Sequence, residues 1–263
     1  MPIPLYQVDA FTDRPFAGNP AAVCLLPEAK EDLWMQAVAM EMNLSETAFL
    51  LKEADGYRLR WFTPKVEVAL CGHATLASAH VLWTECHVGS AATINFYTKS
   101  GLLKAARKAG MIELDFPTTP PVEASPPLGL LDALGVSAKY VGRNQFDYLV
   151  EVESEKTVRR LVPDFARLVQ IDERGVIVTA RSATPPYDFV SRFFAPRAGL
   201  DEDPVTGSAH CCLGPYWQER LGKSEFIAYQ ASARGGVVHV RVVGDRTFLG
   251  GQAVTVLRGE LVA

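Results

Sequence analysis

The sequence predicts an α/β protein of two similar lobes, each a curved mixed sheet or barrel around a central helix. Three observations carry this expectation. Short strand-like runs alternate with a few helical stretches along all 263 residues. One stretch of the first half recurs in the second. Between them lies "PTTPPVEASPP", residues 117–127, in which five of eleven residues are proline. Proline cannot donate the backbone hydrogen bond that a helix interior or central strand needs, so this segment reads as a stiff linker. The expected lobes are 1–116 and 128–263, with the last strand free to return to the first lobe.

In chain order, "LYQVDAF" and "AAVCLL" read as strands around the turn-rich "TDRPFAGNP". "EDLWMQAVAMEMN" places Trp34, Met35, Val38 and Met42 at helical spacing, ending near Asn43 and Leu44. "ETAFLL" and "YRLRWF" are strands joined through Asp55-Gly56. "GHATLASAHVLW" is a helix whose Ala74, Ala77, Ser78 and Ala79 let strands approach closely. "ATINFYT", "GLLKAARK" and "MIELDF" follow as strands, with a turn at Ala109-Gly110. In the second half "LGLLDALG" is a short helix, and "FDYLVEV", "GVIVTA" and "YDFVSRFF" are strands. "GSAHCCLGPYWQERLG" is a helix that Gly214-Pro215 is expected to kink or interrupt. "FIAYQ", "VVHVRVV", "TFLG" and "AVTVLRG" complete the strands, with "RGGVV" holding a hairpin turn.

The repeat aligns "WFTPKVEVALCGHATLASAHVLW" with "RFFAPRAGLDEDPVTGSAHCCLGPYW". Phe62 and Pro64 match Phe194 and Pro196. After a three-residue insertion, Gly72-His73-Ala74 matches Gly207-Ser208-Ala209. Trp83 roughly matches Trp217, and Gly18-Asn19 more weakly matches Arg143-Asn144.

Composition narrows the function. The formal net charge is -4, 21% of residues are charged and no basic block stands out, which argues against nucleic acid. No run of about 18 uncharged apolar residues is present, so no membrane crossing is expected. The N-terminus lacks the pattern of a secretory signal. The five cysteines are odd in number and two are adjacent, which fits a reduced, cytoplasmic protein. There is no GxGxxG fingerprint, Walker loop or GxSxG elbow, and no nucleotide cofactor is expected. His73 and His80 are two helical turns apart and make a poor chelating pair, so no metal is expected.

The candidate site lies at two strand-to-helix junctions. The first amides of a helix lack intrahelical acceptors and favour anions, so Gly72-His73 and Gly207-Ser208 can each cradle a carboxylate. A glycine there can take a backbone shape that other residues resist. His73 is either an acid-base group or a satisfied capping histidine, and His80 reads as core. Glu46 lies between an amphipathic helix and an apolar strand. A partly buried carboxylate rises from about 4.3 toward neutrality and becomes a better acid-base group, although Ser45-Glu46 also fits a turn. Asp203 either accepts a hydrogen bond from a substrate or caps the turn before "VTGSA". Ser208 offers a hydroxyl to an oxyanion. Cys71, beside a helix start, is a possible thiolate, but its match is Thr206 and not a second cysteine. Cys211 and Cys212 read as core, and Trp217 as either core or interface.

Four motifs in order, "QVDAFTDRPFAGNPAAVCLL", "NLSETAFL", "FTPKVEVALCGHATLASAHVL" and "EDPVTGSAHC" with its following "PYW", resemble the phenazine-biosynthesis PhzF-like isomerase family over nearly the whole chain. The resemblance implies a diaminopimelate epimerase-like fold with the site between two lobes. It implies a homodimer that needs no metal or organic cofactor. The activity implied is isomerisation of a small carboxylate-bearing metabolite such as trans-2,3-dihydro-3-hydroxyanthranilate. By motif position the catalytic glutamate falls on Glu46 and its polar companions on His73, Asp203 and Ser208. Gly72 and Gly207 supply the turns, and Asn19 stands in a motif near the cleft as a structural or substrate-binding residue. The family often has aspartate where this chain has Ala69. Two other readings stay open. One is a racemase or epimerase of a small amino or hydroxy acid using Glu46 or Cys71 as one base. The other is a metabolite-binding protein without catalysis.

Overall fold

The structure is a computed structural model that describes residues 2–262. The chain forms two compact units, Met1–Phe116 with Gly250–Ala263, and Pro117–Leu249.

The first unit opens with β1 (Ile3–Ala10), β2 (Asn19–Leu26), α1 (Asp32–Met42), β3 (Glu46–Lys52), β4 (Tyr57–Phe62) and β5 (Glu67–Val68). It continues through α2 (Gly72–Thr84), β6 (Ile94–Thr98), β7 (Gly101–Lys108) and β8 (Met111–Pro117). The second contains β9 (Val122–Glu123), α3 (Leu130–Leu134), β10 (Tyr140–Arg143), β11 (Asp147–Glu151), α4 (Glu155–Arg160) and α5 (Phe165–Leu168). Then come β12 (Gly175–Arg181), β13 (Phe189–Ala195), β14 (Leu200–Asp203), α6 (Gly207–Leu221), β15 (Glu225–Gln230), β16 (Gly236–Val243) and β17 (Arg246–Gly251). The closing strand, β18 (Ala253–Leu261), runs antiparallel to β1 in the first unit.

The repeat read in the sequence is a repeat of topology. β1–β2 is antiparallel, β2–β3 parallel, β3–β4 and β4–β5 antiparallel, β4–β6 parallel and β6–β7 antiparallel. β10–β11, β11–β12, β12–β13, β13–β14, β13–β15 and β15–β16 repeat these orientations in the same order. An ion pair repeats with them. The Arg60 fork donates to both carboxylate oxygens of Glu67 at 2.7 and 2.8 Å, and Arg192 does the same to Glu202 at 2.7 and 2.8 Å. Each guanidinium also lies over the ring two residues on, Phe62 or Phe194. Planar bidentate pairs of this kind fix direction as well as distance. Each ties a central strand to the short arm that leads into the following helix.

α2 is buried on all sides except at His80 and Thr84. Such a helix belongs in the interior of its unit, and β1, β2, β3 and β18 pack on it. Its small residues permit that approach. Its hydroxyls turn back on the helix, Thr75 to the Cys71 carbonyl and Ser78 to the Ala74 carbonyl. The second-unit counterpart, α6, differs from expectation. Pro215 does not interrupt it, because the carbonyl that residue 215 leaves without a helical donor, that of Cys211, accepts the amide of Thr119 at 3.0 Å. The proline-rich segment is thus bound into the second unit, where β9 within it also pairs with β10.

Trp217 is core, 2% exposed, with its indole nitrogen on the Thr179 hydroxyl. Cys211 and Cys212 are also buried, and all five cysteines are free thiols. No helix among the described residues is long and apolar enough to cross a membrane.

The two arginines differ in burial, and that difference sets a ranking. Arg192 is 9% exposed and also donates to the Leu161 carbonyl at 2.7 Å. Arg192→Ala leaves a half-buried carboxylate and a carbonyl without their donor, and is expected to cost about 2–4 kcal/mol of stability. Arg60→Ala, which removes a more exposed side chain (21% against 11%) that among the described residues donates to no backbone carbonyl like that of Leu161, is expected to cost less. Urea unfolding of the two variants checks the order, and a larger loss for Arg60→Ala would contradict it.

Candidate active site

Three elements of the first unit converge on one imidazole. Glu46 is the first residue of β3, Asn19 the first of β2, and His73 the second residue of α2. β2 and β3 are parallel neighbours with Ala21 opposite Glu46, so their starts lie together. The Glu46 Oε2 atom meets His73 Nε2 at 3.1 Å. On the other edge of the ring, Asn19 Nδ2 meets Nδ1 at 3.1 Å and Cys71 Sγ meets it at 3.6 Å. Asn19 is 0% exposed and His73 3%, while the Glu46 side chain keeps 18% of its surface open. The carboxylate is therefore the member of the relay that solvent or a small molecule reaches.

Burial by itself favours a neutral ring. The neighbouring Cys71 sulfur and Glu46 carboxylate outweigh it and hold His73 well above its ordinary 6.5. The Cys71 thiol is pushed up to about 11 by its own burial and by Glu46, against the pull of His73. With Asn19 Nδ2 on Nδ1, the proton of a neutral ring sits on Nε2, the nitrogen that faces Glu46. A doubly protonated ring instead requires the Asn19 amide to turn its oxygen inward.

Glu46, Cys71 and His73 offer one donor atom each within 4.8 Å of one another, the raw material of a metal site. Their contacts divide between the two edges of the imidazole, Glu46 on Nε2 and Cys71 on Nδ1.

Gly72 and Gly207 are the first residues of α2 and α6 and have ordinary helical backbones. The expected need for an unusual glycine conformation is not met at either position. The residues before them, Cys71 and Thr206, are extended, and neither caps its helix with its side chain. Both helices therefore begin with uncapped amides. His80 lies further along α2, with Nε2 3.1 Å from the Thr255 hydroxyl, and burial pushes it down to about 4.

In the second unit, Asp203 ends β14 and Ser208 is the second residue of α6. The Ser208 hydroxyl accepts from Arg174 at 3.1 Å, and Arg174 forks onto the wholly buried Asp147 at 2.9 and 2.5 Å. The Arg174 guanidinium also covers the Phe146 and Phe193 rings at 5.0 and 5.7 Å. Neither Arg174 nor Asp147 is among the residues singled out from the sequence. They are 27 residues apart and meet because β11 and β12 are parallel neighbours with Asp147 opposite Gly175.

Register carries the repeat into the site. Thr47 lies opposite Phe62 and Val176 opposite Phe194, so Glu46 corresponds to Gly175. Phe62 lies opposite Glu67 and Phe194 opposite Glu202, so Asp203 corresponds to Val68, Thr206 to Cys71 and Ser208 to His73. A Cβ at Gly175 would lie 2.3 Å from the Phe193 ring, which is itself buried. The second unit thus has no side chain where the first has its glutamate.

The family model described as phenazine biosynthesis-like protein, PhzC-PhzF, matches residues 8–259. The chain belongs to the PhzC-PhzF family. It is 60% identical over 263 residues to an uncharacterized isomerase of Halalkalibacterium halodurans, covering 100% of this chain and 99% of that one. It superposes on a PhzF-family protein of Enterococcus faecalis with a TM-score of 0.94 and 42% identity, each chain covered in full. A predicted epimerase of Pseudomonas aeruginosa, 23% identical, shares the fold with a TM-score of 0.81 over 99% of both chains. The PhzF membership makes the protein an isomerase with the expected epimerase-like α/β fold.

The relay predicts a measurable coupling. In Glu46→Gln the anion that offsets burial is gone, so the His73 titration midpoint is expected to fall relative to the parent. Histidine-resolved NMR across pH reads it, and an unchanged midpoint would contradict the assignment.

Proposed function

We propose that this PhzF-family protein is a cofactor-independent isomerase that moves one proton within a small carboxylate-bearing metabolite, with Glu46 as the base and then the acid. The observation that carries the proposal is the single exposed-edged carboxylate backed by a buried imidazole, with Gly175 at its equivalent. In this reading Glu46 takes a proton from an activated carbon. The C–H electron pair enters the adjacent π system, and the Glu46 carboxyl returns the proton to another carbon, so composition is unchanged. His73 holds the carboxylate in place and steadies its charge, and Asn19 and Cys71 orient the ring. By the family resemblance, Asp203 is assigned to orient a hydroxyl or amine of substrate. Ser208, set by Arg174, donates its hydroxyl proton to a carboxylate or enolate-like oxygen, joined by the uncapped amides of the helix starts. Fixed donors of this kind stabilise charge that grows in the transition state.

A racemase needs an acid-base group on each face of one carbon. The equivalents of Glu46 and Cys71 are Gly175 and Thr206, neither of which is a base, and this favours isomerisation over racemisation. The resemblance to PhzF-like isomerases nominates trans-2,3-dihydro-3-hydroxyanthranilate as the first substrate to test. The parent is expected to convert it, and Glu46→Gln to lose roughly 10³-fold in kcat while folding normally. Ultraviolet absorbance and mass spectrometry follow the product. Equal rates in parent and variant would reject Glu46 as the base. A folded parent that turns over neither this compound nor related amino and hydroxy acids, yet binds one tightly, would favour a non-catalytic metabolite-binding protein.

A further inference from the structure

Gln230, the last residue of β15, is 0% exposed and makes three hydrogen bonds into the turn ahead of α6. Its Oε1 accepts the Thr206 amide at 2.9 Å. Its Nε2 donates to the Asp203 carbonyl at 2.7 Å and to the Thr206 hydroxyl at 3.2 Å. The two backbone contacts fix which end of the amide faces which way, because an N–H needs the oxygen and a carbonyl needs the nitrogen.

The consequence reaches Asp203. With the Gln230 amide donating to it, the Thr206 oxygen acts there as acceptor, and its own proton is directed elsewhere. It points at Asp203 Oδ2, 2.5 Å away. The other side of the turn is held by His210, whose Nδ1 donates to the Thr206 carbonyl at 2.8 Å. Threonine before a helix ordinarily spends its oxygen on capping amides. Here the hydroxyl serves Asp203 and makes no cap.

This clamp is no requirement of the fold, because the first unit builds the same junction without it. Tyr57 lies opposite Phe96 and Phe189 opposite Ala228, so Gln230 corresponds to Thr98. Thr98 donates locally to the Gly101 carbonyl. The counterparts of Asp203 and Thr206 are Val68 and Cys71. Glutamine, threonine and aspartate occur together only in the second of the two junctions.

We propose that Gln230 and Thr206 are positioning residues that set the orientation and hydrogen-bonded state of the Asp203 carboxylate. The inference rests on the assignment of Asp203 to the substrate site, and it can be tested with and without turnover. The first readout is the Asp203 side-chain carboxyl ¹³C resonance of the intact protein, assigned by its loss in Asp203→Asn. Thr206→Val, which keeps the side chain's shape, is expected to shift that resonance, and Thr206→Ser to restore it. Gln230→Glu keeps an acceptor for the Thr206 amide but draws the hydroxyl proton away from Asp203, so it is expected to shift the same resonance.

The second readout is kinetic. Thr206→Val is expected to lower kcat about 10–100-fold with KM changed less than about threefold, and Thr206→Ser to recover most of it. Introduced into an Asp203→Asn background, Thr206→Val is expected to cost less than about twofold, because the group it positions is gone. Thermal unfolding run alongside separates these effects from loss of fold. An Asp203 resonance unmoved by Thr206→Val, or an equal kinetic loss in both backgrounds, would overturn the proposal. A parent with no isomerase activity would defeat the functional reading instead, while the carboxyl resonance still decides this one.

Discussion

A carboxylate placed 3.1 Å from a buried imidazole is the constraint around which the first unit is arranged. An isolated ion pair in an apolar interior loses more in desolvation than it recovers in attraction. The arrangement avoids that loss in two ways. The carboxylate stays at an open edge, and the imidazole is satisfied on its far side by Asn19 and Cys71. Both ways depend on the starts of β2, β3 and α2 being neighbours, which the parallel β2–β3 register and the small-residue face of α2 secure.

The two units repeat one topology and differ in the polar side chains set upon it. The Arg–Glu forks, the strand order and the buried central helix recur almost unchanged. The polar side chains around the starts of the two central helices do not. Where the first unit has Glu46 and His73, the second has Gly175 and Ser208. Where the second has Asp203, Thr206 and Gln230, the first has Val68, Cys71 and Thr98. The shared features are those of packing and direction. In the proposed reaction proton transfer falls to the first unit's Glu46, held by His73.

Much of this is legible in the sequence, for identifiable reasons. The long strands and the two central helices carry patterns of several residues or more, and Gly72-His73-Ala74 against Gly207-Ser208-Ala209 exposes the repeat directly. Short elements such as β5, β9, β10 and β14 span two to four residues, too few for any period to show. Arg174, Asp147 and Gln230 leave no sequence signal because their partners are set by strand register and lie 24 to 34 residues away. Pro215 departs from its sequence expectation for the same reason, since the donor that compensates for it, Thr119, comes from a segment that reads as linker.

The central claim is that one base carries one proton from carbon to carbon. The most direct measurement uses a substrate deuterated at the carbon that loses its hydrogen, turned over in ordinary water and analysed by mass spectrometry and NMR. Single-base transfer by Glu46 predicts that product retains part of the deuterium, at the carbon that gains hydrogen. Complete loss of label together with inversion at the original carbon would contradict it, because that outcome requires a second acid on the opposite face.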